Sequence, residues 1–72
     1  MSRMINIILT DLASDIMKYE EAMENAINSK DPIDIRVKLI KKYLGKIVQT
    51  ESMIEKWKGY TQTNNKTNQL ND

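Results

Sequence analysis

A single proline divides this chain, and its surroundings leave few folds open. The stretch Asn28-Ser29-Lys30-Asp31-Pro32 interrupts two long helical patterns. Asp31 reads as an N-cap, because its carboxylate can accept from the free amides of the next turn. Pro32 then stands at the first helical position, where the missing N–H costs nothing and the fixed φ suits the helix. It also pushes Asp31 out of the α region, which ends the first helix upstream. Asp34, in the first turn, complements the helix dipole. The chain is expected to reverse near Lys30.

Upstream of the break, Ile5, Leu9, Leu12, Ile16, Tyr19, Met23 and Ala26 recur at alternating steps of four and three. That is the heptad spacing of a helix packed lengthwise on another helix. Ile-rich Met4–Leu9 has strand propensity, but no second strand exists to pair with it. Ser2 is a candidate N-cap, and Ile8, Ala13, Met17, Ala22 and Ile27 widen the stripe. Downstream, the expected central stripe is Ile33, Val37, Ile40, Leu44, Ile47 and Ile54, with Glu51 at one heptad position. Leu39, Tyr43 and Trp57 form one flank and Val48 the other. Together they cover about half the circumference, wider than the ~100° one packing surface needs. Gly45 marks either a close backbone approach or a tolerated weak point, since glycine costs ~1 kcal/mol against alanine in a helix.

Gly59 reads as the C′ stop of the second helix. Beyond it, residues 60–72 hold only Tyr60 and Leu70 as large apolar groups, too few to offset ordering entropy. The expected architecture is all-α: an antiparallel two-helix hairpin, helices about 3–28 and 32–58, with a disordered C-terminal tail. The hairpin occupies residues 1–59 and the polar tail residues 60–72.

The net charge of +1 hides an asymmetry. Residues 1–31 carry three basic and six acidic side chains, residues 32–72 eight basic and four acidic. In a hairpin reversing near Lys30, residue i should face one near 60 − i. Glu24 is then expected near Arg36, Glu20 near Lys41, Asp15 near Lys46, and Glu21 near Lys38 or Lys42. Each exposed pair contributes only ~0.2–1 kcal/mol, but together they favour the antiparallel arrangement over a parallel one.

The chain has 72 residues, with no cysteine and no histidine. Below ~70–80 residues one core seldom supplies more than ~3–5 kcal/mol, and disulfides, metals or partners make up the rest. Disulfides and the usual zinc ligands are absent from this sequence, which leaves association. No apolar run reaches the ~20 residues that span a membrane, and the first residues lack a signal-peptide pattern. The expected setting is cytoplasmic.

No catalytic, cofactor-binding or metal-binding set can be assembled. The carboxylate pairs Asp11/Asp15, Glu20/Glu24 and Glu51/Glu55 read as solvated helix faces, and there is no phosphate loop or activated nucleophile. The expected class is non-enzymatic. Residues 36–46 hold a cluster of lysines able to neutralise phosphates, but they are better explained by pairing with the acidic helix, so nucleic acid is not the expected partner. Trp57 is either an interface anchor or the closure of the hairpin's open end against Ile5 or Ile8.

The second half resembles the small helical-hairpin co-chaperones of type III secretion needle subunits. Lys30-Asp31-Pro32 opens a helix carrying Leu39-Ile40, Ile47, Glu51-Ser52 and Ile54, and the likeness covers residues 9–58. It implies pairing with a larger helical-repeat chaperone that, with this chain, holds the needle subunit before export. Leu39, Tyr43, Ile47, Ile54 and Trp57 would be the partner-facing residues. The alternatives are a self-assembling structural subunit or homo-oligomeric bundle, and a small nucleic-acid-binding regulator.

Overall fold

In the computed structural model, which describes the backbone of residues 2–71 and the side chains of residues 3–60, the chain forms two helices. Helix α1 is Ser2–Ile27 and α2 is Ile33–Asn71. They lie antiparallel: the Trp57 indole Nε1–H donates to the Ile5 carbonyl at 3.4 Å, and the Tyr19 and Tyr43 rings stack with centroids 6.4 Å apart. At the closed end Arg36 Nη2 donates to the Ile27 carbonyl at 3.1 Å. The hairpin expected from the proline break is the observed fold.

The turn is made slightly differently from the expectation. Asn28 N–H bonds the Glu24 carbonyl, and the Ser29 hydroxyl donates to the Ala26 carbonyl, closing α1. The first carbonyl to accept from α2 is that of Pro32, which receives the amides of Ile35 and Arg36 at 3.1 Å each. Pro32 is thus the N-cap, and Asp31 lies one residue outside, its N–H on the Ser29 hydroxyl at 3.4 Å. Placing proline at the cap still uses its missing donor where none is needed. The Ser2 side chain, the other expected cap, lies outside the described residues.

The expected seam of α1 is the observed one. Ile5, Leu9, Leu12, Ile16, Tyr19 and Met23 are half-buried, and Ala26 is buried. On α2 the expected stripe keeps Ile40, Ile47 and Ile54, and its alternate positions are displaced by one residue, from Val37, Leu44 and Glu51 to Arg36, Tyr43 and Thr50. The inward line is Arg36, Ile40, Tyr43, Ile47, Thr50, Ile54 and Trp57, all buried or half-buried at steps of four and three. Ile33, Val37, Leu44 and Glu51, assigned to the centre, are exposed. The polar residue each stripe must enclose accounts for the choice. The expected stripe encloses the Glu51 carboxylate, whose desolvation is costly. The observed one encloses Thr50, whose hydroxyl donates to the Lys46 carbonyl at 2.8 Å. It also half-buries two aromatic rings, Tyr43 and Trp57, which remove more area from water than Val37 or Leu44 would.

The register is shifted too. Tyr19 with Tyr43, and Ile5 with Trp57, are pairs whose numbers add to 62, so residue i faces 62 − i. The expected ion pairs do not form. Among the described residues no lysine or arginine is ion-paired with a carboxylate. Lys46 Nζ instead sits 5.8 Å from the Tyr19 ring centre, and Lys42 Nζ 5.6 Å from that of Tyr43. Arg36 Nε is buried with no hydrogen-bond partner.

Neither glycine has a positive φ, so Gly59 is not a left-handed stop and α2 runs on through it. A helix meeting no obstacle satisfies its carbonyls by continuing, and a methyl built on Gly59 or Gly45 would meet nothing within 4 Å. The expected disordered tail falls, from residue 61 onward, outside the described side chains. Gly45 is the tolerated weak point rather than a close approach. Gly45→Ala should therefore stabilise the hairpin by ~1 kcal/mol, read as a rise of roughly 4–8 °C in the thermal midpoint.

Candidate partner-binding surface

The Cα envelope measures 60 × 17 × 10 Å, a sheet of two helices one helix thick. Such a layer buries one seam and leaves two broad faces open. Ala26 and Ile47 are the buried apolar side chains, at 5% and 7% exposure. Against that small core, Met4, Ile7, Met17, Ile27, Ile33, Ile35, Val37, Leu44, Val48, Met53 and Tyr60 are each at least 45% exposed, or within one percentage point of it. The imbalance follows from the apolar arc of α2, which is wider than one partner helix can cover.

The exposed apolar groups fall into two tracts on α2. Ile33, Val37, Leu44 and Val48, spaced four, seven and four apart, form one flank. Met53 and Tyr60 belong to the other. Leu44 and Met53 are nine residues apart, about two and a half turns, so they point to opposite faces of the layer.

On the Met53 face the helices frame a groove of ≈ 490 Å³ between Ile8 and Leu12 of α1 and Gln49, Ser52, Met53, Lys56, Trp57 and Tyr60 of α2. Five of these eight residues are apolar or aromatic. The polar groups present are side-chain amide, hydroxyl and ammonium ends at the edge. Exposed Lys38, Lys42 and Lys56 lie along this side of α2. Apolar grooves between helices are the shape into which amphipathic helices dock by their apolar face.

Of the residues the resemblance marks as partner-facing, only Trp57 opens onto the groove. Ile47 is buried, and Leu39, Tyr43 and Ile54 are half-buried in or beside the seam with α1. Their first job is holding the hairpin together. Sequence reasoning missed Met53, which lay outside the expected arc, and Tyr60, assigned to the tail. A correctly phased seam on α2 would have found both.

Trp57 does close the open end, through its bond to Ile5, and it also lines the groove. Among the described residues no group of three or more Asp, Glu, His or Cys is placed to hold a metal ion. No helix among them is long and apolar enough to cross a membrane. Compared with known protein families, with curated proteins and with solved structures, the chain finds no match.

Proposed function

We propose that this chain is a small non-enzymatic binding module that works in the cytoplasm by seating an amphipathic helix of another protein. The observation that carries this reading is the apolar groove between Ile8/Leu12 and Met53/Trp57/Tyr60, with a single lysine, Lys56, in its lining. A partner helix suited to it presents an apolar stripe flanked by acidic side chains, because the exposed ammonium groups of Lys38, Lys42 and Lys56 border that side. The finer form of the proposal follows the sequence resemblance: a type III secretion co-chaperone that pairs with a larger helical-repeat chaperone to keep the needle subunit soluble before export.

Co-expression with the helical-repeat chaperone and needle subunit of the same cell tests it. The expected result is one co-eluting complex containing this chain, with Met53→Glu weakening it at least about tenfold, the effect of placing a carboxylate in an apolar contact. Elution of this chain apart from both proteins would sink the secretion reading. A complex indifferent to Met53→Glu would sink the groove as its docking surface.

A further inference from the structure

The chain has no cysteine, so its sulfur lies wholly in five methionines. The fold sorts the described ones by their surroundings. Met17 and Met4 are 69% and 57% exposed and lie outside the groove lining. Met23 is half-buried in the α1 seam. Among the described methionines only Met53 is both open to solvent, at 47% exposure, and part of the groove wall, beside Trp57 and Tyr60.

We propose that Met53 is an oxidation site that switches the groove off, with a hydroperoxide as the oxidant. The thioether sulfur attacks one peroxide oxygen with a lone pair, so that an S–O bond forms and the O–O bond breaks. The proton of the transferred oxygen ends on the departing one, which leaves as water or an alcohol. Sulfur loses two electrons and the peroxide gains them. A thiol-driven sulfoxide reductase returns the thioether.

The consequence follows from where the new oxygen sits. In the free hairpin water reaches it, so the fold bears little cost. Under a docked helix the same oxygen is dried among Ile8, Leu12 and Trp57, and a polar group removed from water without a partner weakens the contact. A flexible apolar thioether that adapts to a partner's shape thereby becomes a polar obstacle. Met23 shows the reverse pattern. An oxygen there would act on the seam and on folding, but burial shields that sulfur from the oxidant. The role of Met53 rests on the groove being the helix seat proposed above, and it adds the regulation of that seat.

Fluorescence titration of the full chain with the apolar dye anilinonaphthalene sulfonate, before and after hydrogen peroxide, tests the switch without a partner protein. The dye's rings suit the groove, and its sulfonate suits Lys56. Peptide mass spectrometry should find one added oxygen on Met17, Met4 and Met53 well before Met23. Dye affinity should then fall about fivefold or more with circular dichroism unchanged, and sulfoxide reductase with thiol should restore it. Met53→Leu should show no fall under the same treatment, while Met4→Leu with Met17→Leu should show all of it. A Met53 that stays reduced while Met17 and Met4 are oxidised would overturn the proposal. So would dye binding that survives oxidation of Met53, or an equal fall in Met53→Leu. Helicity lost in step with dye binding would also overturn it, because the effect would then belong to the fold. Failure here removes only the control by oxidation, whereas failure of the co-expression experiment removes the helix seat.

Discussion

Ile47→Asp unfolds the hairpin. Ile47 is the most enclosed large apolar side chain among the described residues, at 7% exposure, and it sits midway along the α2 seam. Removing it forfeits ~1.5–3 kcal/mol of burial, and a carboxylate in its place adds the cost of desolvating a charge or taking up a proton. A domain of this size holds only ~3–5 kcal/mol in reserve. The loss is therefore comparable to the whole stability, and far-UV circular dichroism should show most of the helical signal gone at 25 °C. Ile7→Asp is the control, since Ile7 is 54% exposed on the outer side of α1 and should change stability by no more than about 0.5 kcal/mol. Wild-type melting of the Ile47→Asp variant would contradict the seam described above.

Trp57→Ala opens the far end. The indole packs at the last heptad position of the described seam, and its N–H bonds Ile5 across 52 residues of sequence. Truncating a tryptophan in a core costs ~3–5 kcal/mol, and half-burial brings the expected loss here to about 2–3 kcal/mol. Trp57→Phe separates the components. It keeps a six-membered aromatic ring but gives up the pyrrole half of the indole and with it the hydrogen bond, which at 3.4 Å contributes toward the low end of ~0.5–1.5 kcal/mol. Hydrogen exchange gives the spatial signature: in Trp57→Ala the amides of residues 6–12 should exchange faster than those near the turn, because opening is local to the unpinned end. Uniform acceleration along both helices would mean that Trp57 acts on the whole hairpin rather than its end.

The two substitutions act on residues that the resemblance assigned to a partner and the structure assigns to the hairpin itself. In a two-helix layer these roles compete for the same side chains. The seam takes the aromatic and most apolar line of α2, and what is left for partners is the flanks: Met53 and Tyr60 on one face, Val37 and Leu44 on the other. A reading that merges seam and surface into one wide arc cannot separate a variant that unfolds the protein from one that only frees it from a partner.

The sequence by itself determined that the chain is two helices reversing at Pro32, and which line of α1 faces inward. Both are local matters. A proline without an N–H permits few backbone paths, and the α1 heptad from Ile5 to Ala26 has no competing apolar line of equal length. The phase of α2 was not legible, because its apolar arc admits two stripes that share Ile40, Ile47 and Ile54 and differ by one residue at the positions between them. Only the packed pair decided between them, by enclosing the satisfied hydroxyl of Thr50 rather than the carboxylate of Glu51 and by stacking Tyr43 on Tyr19. The two-residue change of register followed from the same packing, and it brought Lys46 over the Tyr19 ring instead of beside Asp15. Charge pairs worth a few tenths of a kcal/mol each do not set a register that buried aromatic rings can set instead.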